Sequence, residues 1–456
     1  MIEAGSGCRH PSPKEAEPFV FPRRCHATLR SILTTAAAGA LLTSCALTGG
    51  SSDDGPTTIT YWSWISGSQE IVDRFNETHD DVQVDFQLIP GGGDGGYAKM
   101  FNAVRAGKAP DIMTVEYPQL NSFITQDLIQ PITDWNVDEL ADQYPEWTWE
   151  LVSPSGDEVY ALPKDVAPTV LFYRADLFEE YGLTPPETWE EFRATAERLQ
   201  EQQPDAFLTT FGHNDSGLLS ALAWQAGAEW FDTASGEWSV NTTDENTRRM
   251  ASYWDELIAD GLVTSEPMYA EKHITDLQQG RSLALIGAPW SAANLSRFLP
   301  ELAGKFDVAP MPRWDDEPTA GNFGGSTMAL PVGSPHPDAA MEFARWVSTS
   351  PDAVAAAAPV STAYPANVNL QETWATEVSS VNEWVEGMNL PEVTSAAAQE
   401  INPAWEWGPD MTESFSRLAN ATSSRAGQPG GLERAITGWQ DTVVDQLRLR
   451  GYNVAD

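Results

Sequence analysis

Beyond residue 45 the chain has no cysteine: Cys8, Cys25 and Cys45 all fall in its first tenth. No disulfide can staple the folded body, so the core has to hold by packing alone. Basic residues are scarce too, 26 Lys and Arg against 66 Asp and Glu, for a formal net charge of -40. Phosphate recognition needs clustered cations, and none cluster beyond Arg23 and Arg24, so no nucleic-acid partner is expected. An acidic surface keeps an exposed protein soluble and carries no information about substrate. The six histidines are scattered without zinc-ligand spacing, and there is no Gly-x-Ser-x-Gly elbow. No metal, cofactor or catalytic residue is expected.

What is present begins with a leader. Arg23, Arg24 and Arg30 precede an apolar stretch from Ser31 to Thr43, which ends in Leu42-Thr43-Ser44-Cys45. A basic region, a short apolar run and small residues before a cleavage point describe a signal peptide. The run falls short of the about 20 residues that span a bilayer as a helix. Leu-Thr-Ser-Cys resembles the bacterial lipobox, which implies cleavage before Cys45 and a lipid on its thiol. Glu3, Glu15 and Glu17 make residues 1–22 unusual ahead of a basic region, and translation is expected to start near Val20. The residues after Arg23-Arg24 do not resemble a twin-Arg export signal. Residues 1–44 are thus extension and leader, and 45–56, with Gly49, Gly50, Ser51 and Ser52, a flexible tether. No other segment is apolar enough to span a bilayer, so the lipid is the expected membrane contact.

From Thr57 the chain alternates strand-like and helical patterns, the signature of an α/β fold. Thr58 to Trp62 reads as a strand, Gln69 to His79 as an amphipathic helix, and Val82 to Leu88 as a strand with clear alternation. Tyr97 to Ala106 reads as a helix and Asp111 to Val115 as a third strand. This β-α-β-α-β opening implies a mostly parallel sheet, in which ligands sit at the carboxyl ends of strands. Tyr160 to Tyr173 is extended. Thr188 caps a helix to Gln203 with Glu191 in capping-box position, Met250 to Asp260 is helical before Gly261, and Leu283 to Gly287, Phe306 to Ala309 and Thr327 to Pro331 read as strands. Met411 to Gly451 is helical with a break at Gly427 to Gly431.

Four segments carry a family likeness: Ala106 to Ile112 (AGKAPDI), Gly156 to Pro163 with Leu171 to Phe178 (GDEVYALP and LFYRADLF), Gly182 to Phe192 (GLTPPETWEEF) and Gly280 to Trp290 (GRSLALIGAPW). They resemble the extracellular solute-binding proteins of bacterial ABC importers, in the sugar-binding group that includes maltose-binding protein. Arg281 and Leu285 depart from the usual Lys and Met. The resemblance implies a two-lobed, periplasmic-binding-protein-like fold, each lobe a mostly parallel sheet flanked by helices, joined by hinge crossings and closing on ligand. Residues 57–165 and 311–370 would form the first lobe, and 166–310 and 371–456 the second, with crossings near 164–169, 308–312 and 369–376. It implies a monomer that binds a carbohydrate and delivers it to membrane permease subunits.

A sugar offers C–H faces to flat aromatics and rim hydroxyls to polar forks. The chain has 18 tryptophans, and strand-end logic selects Trp62 and Trp64, placed on one side by alternation, with Ser66 and Ser68 in the following turn. Glu116 is a candidate acceptor for two hydroxyls and Tyr117 a stacking neighbour. By the resemblance, Asp165 faces the cleft from the first crossing and Trp290 stacks from the second lobe. Trp224, Gly325 with Ser326, and Trp405 complete the candidates, each of which also fits an ordinary core or surface position.

Three rivals remain. Gly91 to Gly96 formally satisfies a dinucleotide-binding GxGxxG, but it follows the second strand and Pro90 interrupts the turn. A secreted glycoside hydrolase would share an aromatic cleft and needs two apposed carboxylates, which 66 acidic residues supply by composition alone. A binder of polyamine, peptide or glycerol phosphate diester is the third.

Overall fold

The alternation expected of the first strand is the alternation of burial along β1 (Thr57–Ser63), where Ile59, Tyr61 and Ser63 point into the core. The computed structural model describes residues 55–154, 156–233, 236–315 and 319–455. The leader, the lipobox and Cys45 lie outside them.

β1 is followed by β2 (Val82–Leu88), β3 (Ile112–Glu116) and β4 (Ala161–Val166). Next come β5 (Val170–Arg174), β6 (Phe207–Gly212), a small ribbon of β7 (Phe231–Asp232) and β8 (Ser239–Val240), β9 (Thr264–Glu266), β10 (Ser282–Gly287) and β11 (Phe306–Pro310). The series ends with β12 (Ser326–Ala329) and β13 (Tyr364–Pro365). They form two main sheets, in the orders β13-β4-β12-β3-β1-β2 and β11-β5-β10-β6-β9. All six residues of β10 are buried, as befits a strand in the middle of its sheet, between β5 and β6.

The sheets are mixed rather than mostly parallel. β1 is parallel to β2 and β3, and β6 to β9 and β10, but β12 runs antiparallel to β3 and β4, and β5 antiparallel to β10 and β11. The reason is the route of the chain. A βαβ unit returns each strand in the same direction, whereas β5 and β12 each arrive directly from the other sheet and therefore start at the edge where their neighbours end.

The first passage is Ala167–Thr169 and the second runs from 311 to 325. They lie side by side: Thr169 N–H donates to the Gly321 carbonyl (2.9 Å), Phe323 N–H to the Ala167 carbonyl (2.7 Å), and Ala167 N–H to Asn322 Oδ1 (2.7 Å). The third passage comes later than 369–376. The helix Gln371–Val381 stays on the first lobe because Trp374 packs edge-on against Tyr364 of β13, 4.8 Å between centroids, and the helix Leu390–Gln399 then lies against β11. The helix Met411–Ser423 touches both lobes, through Tyr117–Ile124 on the first and Ser216–Gln225 on the second.

Local signals survive in detail. Thr188 Oγ1 accepts from Glu191 N–H at the head of the helix Trp189–Gln202, while Glu191 accepts in return from Glu187 N–H, one residue beyond the N-cap that a capping box would serve.

Candidate functional site

Strands of the first sheet that end together bring their last residues to one place. Trp64 and Ser66 follow β1, Glu116 closes β3, Asp165 lies near the end of β4, and Gly325 and Ser326 open β12. With Trp290, Ala293 and Asn294 from the head of the second-lobe helix Trp290–Phe298, and Ser361 to Ala363 before β13, they line one cavity of about 210 Å³. Seven of the twelve expected ligand residues meet there: Trp64, Ser66, Glu116, Asp165, Trp290, Gly325 and Ser326.

The other five lie elsewhere. Trp62 belongs to the opposite face of β1 from Tyr61 and carries Lys99 Nζ 4.3 Å from its ring centroid. β1 ends at Ser63, so its alternation does not fix the direction of Trp64, and Trp64 lines the cavity whereas Trp62 does not. Ser68 is buried and donates to Ser63 Oγ (3.2 Å), closing the turn. Tyr117 is buried beneath Gly325, where φ is +79° and an added Cβ would sit 2.9 Å from the tyrosine ring and 3.0 Å from the Asp165 carbonyl. Trp224 and Trp405 stack on each other, centroids 5.0 Å apart and planes 5° apart, inside a closed aromatic cluster.

Two carboxylates dominate the cavity's electrostatics. Glu116 accepts from the Tyr97 hydroxyl. Burial pushes Glu116 up to about 7, a rise opposed by the Tyr97 hydrogen bond and reinforced by the nearby charges of Asp215 and Asp165. Asp165 accepts from Ser326 N–H (3.1 Å) and from the Ser326 hydroxyl, with Lys164 Nζ 4.0 Å away. Burial raises its pKa too, against the pull of Lys164 and Ser326. Asp215 caps the second-lobe helix Ser216–Gln225 by accepting from Leu218 N–H (3.0 Å), and burial raises it likewise.

The glycine-rich loop considered for dinucleotides has a different task here. A Cβ on Gly92 would lie 2.4 Å from the Tyr97 ring, so the bare backbone makes room for the phenol that holds Glu116. Trp64 meets the same ring edge-on at 5.5 Å. Tyr97 was not among the expected residues, since its place on the buried face of a helix reads as core. Thr362 was missed as well. Its Oγ1 donates to the Pro289 carbonyl (2.6 Å) and accepts from Ala293 N–H (3.3 Å), joining the first lobe to the second at the cavity edge. Trp290 donates its indole N–H to the Phe323 carbonyl in the second passage (2.9 Å). No His, Cys, Asp or Glu cluster among the described residues could hold a metal.

The family model for bacterial extracellular solute-binding proteins matches residues 61–354. The chain belongs to that family. This solute-binding protein is 24% identical over 333 residues to the arabinooligosaccharide-binding protein of Bacillus subtilis, covering 70% of the chain and 74% of the relative. Its fold matches the ABC transporter associated binding protein of B. animalis subsp. lactis, solved with β-1,6-galactobiose, at a TM-score of 0.78 and 23% identity, over 88% of this chain and all of the other. The galacto-N-biose/lacto-N-biose I-binding protein of Bifidobacterium longum, solved with lacto-N-biose, follows at 0.77 and 24%, over 88% and 100%. Among the described residues no helix is long and apolar enough to cross a membrane.

Proposed function

We propose that this solute-binding protein captures a carbohydrate between its lobes and delivers it to the permease of an ABC importer, while a lipid on Cys45 tethers it to the outer face of the cell membrane. The observation that carries the sugar is the pairing of two kinds of wall in one cavity. Trp64 and Trp290 offer indole surface from opposite lobes, and Glu116 and Asp165 offer acceptors for hydroxyl donors. The carbohydrate ligands of the relatives support this choice over a polyamine or peptide. A binding role, rather than hydrolysis, accords with the family.

The test is a thermal-shift screen of mono- and oligosaccharides, followed by calorimetry and by chromatography of the recovered sugar. A ligand present at 100 times its Kd adds about 2.7 kcal/mol to stability, so a cognate sugar raises Tm by several degrees and is recovered intact. A flat response to every saccharide would sink the sugar assignment, and recovery of cleaved products would restore the hydrolase. For the anchor, mass spectrometry of the membrane-extracted protein is expected to begin at Cys45 with a diacylglyceryl adduct. An unmodified Cys45 would rule the anchor out.

A further inference from the structure

Behind the cavity wall, and not part of it, sits Tyr97, the second residue of the helix Gly96–Arg105 and 4% exposed. Its hydroxyl donates to Glu116 Oε2, and its ring meets Trp64 edge-on at 5.5 Å and Phe123 at 6.0 Å. One buried phenol thus touches both kinds of first-lobe wall, the aromatic and the acidic. The glycine-rich loop makes its seat. A Cβ on Gly92 would lie 2.4 Å from the ring and 2.8 Å from the hydroxyl, and one on Gly96 would lie 2.4 Å from the Pro90 carbonyl. The φ of Gly92 is not positive, so its missing side chain serves the close approach and not a turn. The other carboxylate oxygen, Glu116 Oε1, receives no hydrogen bond from a described residue. It lies toward the second lobe, since a Cβ on Gly324 would be 3.5 Å from Oε1 and 3.9 Å from Trp290 Nε1.

We infer that Tyr97 is a positioning residue that sets specificity: it commits Glu116 Oε2 from behind, so that Oε1 meets the ligand as an acceptor and the sugar must present a hydroxyl there. The inference rests on the carbohydrate assignment above and adds the residue that decides what Glu116 recognises. A carboxylate only accepts hydrogen bonds, whereas a carboxylic acid also donates one. The surroundings favour the acid. Burial, Asp165 from β4 and Asp215 from the cap of the helix Ser216–Gln225 all oppose a charge on Glu116, and Lys164 Nζ serves Asp165, 4.0 Å away. Against them stands the Tyr97 hydroxyl, whose hydrogen bond favours the ionised form. Burial keeps the phenol protonated and therefore a donor. A phenylalanine in its place would keep the ring against Trp64 and lose this control.

Calorimetry with arabinotriose, lactose and β-1,6-galactobiose tests this, with each saccharide that binds followed from about pH 6 to 9, either side of the Glu116 value of about 7. Parent affinity is expected to fall as pH drops through about 7, where Glu116 takes up its proton. Tyr97→Phe is expected to bind about tenfold more weakly at neutral pH, the size of one charge-assisted hydrogen bond. It should also move the fall to higher pH, so that part of the loss returns at the alkaline end. Glu116→Gln cannot titrate, and in that background Tyr97→Phe is expected to leave the profile where it is. Gly92→Ala, which displaces the phenol, should repeat the Tyr97→Phe profile. Circular dichroism establishes that each variant is folded, and Tyr97→Phe carries the test if Gly92→Ala is not. Affinity and profile unmoved by Tyr97→Phe would overturn the inference and leave the carbohydrate assignment standing. So would a loss equal at every pH, the mark of a packing role alone. Silence from every saccharide would remove both.

Discussion

Tryptophan builds two unlike regions of this molecule. At the cavity, Trp64 and Trp290 are half-buried, one from each lobe. In the aromatic cluster, Trp224 stacks on Trp405, meets Trp147 of the first lobe edge-on at 5.7 Å and Trp407 at 6.0 Å, and Trp230 extends the contacts to Trp405 and Trp439 at 5.1 and 5.2 Å. Each such pair adds about 0.5–1.5 kcal/mol beyond the area it buries. The cluster therefore ties the lobes together through large apolar contact. At the edge of the cavity, Thr362 joins them with two hydrogen bonds, one of them long at 3.3 Å, together worth about 1 kcal/mol net. The asymmetry places the easily opened side of the interface at the cavity.

The most severe way to break this contrast is to truncate one ring from each region. Trp224→Ala removes a fully buried ring and orphans the Asn402 carbonyl its N–H serves. It is expected to cost about 3–5 kcal/mol of stability, read as a lowered urea midpoint. Trp290→Ala is expected to leave most of that stability and to lose about 2–4 kcal/mol of saccharide binding, as central aromatic anchors do. Should Trp224→Ala weaken binding with its midpoint unchanged, the cluster would belong to the site after all.

The sequence separates these regions only in part, and the reasons are physical. β1 to β3 are legible because alternating burial is a local property, and Trp64 and Glu116 reach the cavity because strand ends collect at one edge. The direction of β12 is not local. It depends on a chain that leaves one lobe and enters the other, so a mostly parallel sheet is the natural expectation and a mixed one the outcome. Sequence alone does not place Trp224 and Trp405 in the cluster rather than the cavity, because an indole with a free face and an indole stacked on its neighbour have the same letter. Tyr97 carried a faint signal: a tyrosine rather than phenylalanine on a buried helical face needs a partner for its hydroxyl, and Gly92 beneath it marks a close approach.

A smaller effect sharpens the contrast through pH. The aromatic cluster does not titrate, whereas Glu116 at the cavity does. An unfolded chain releases the Glu116 proton near pH 4.5 and the folded one near 7. Between these values the folded state binds more protons, so stability falls as pH rises from about 4.5 to 7 and levels off above it. Asp165 and Asp215, also raised, act in the same direction. With Glu116 partly open to solvent, its share is on the order of 2 kcal/mol. Urea midpoints measured from pH 4.5 to 8 are expected to decline less in Glu116→Gln than in the parent. Identical slopes would remove Glu116 as their source.

The smallest effect falls on the latch itself. Thr362→Val keeps the shape and deletes the hydroxyl that serves the Pro289 carbonyl and the Ala293 N–H. About 1 kcal/mol is expected to go from the joined arrangement, close to a fivefold weaker ligand affinity. The loss should appear in the dissociation rate, because the bonds break as the cavity opens. The same substitution should leave the aromatic cluster, and hence the stability it supplies, largely intact. A fivefold loss in the association rate instead would mean that Thr362 shapes the open cavity rather than holding it shut.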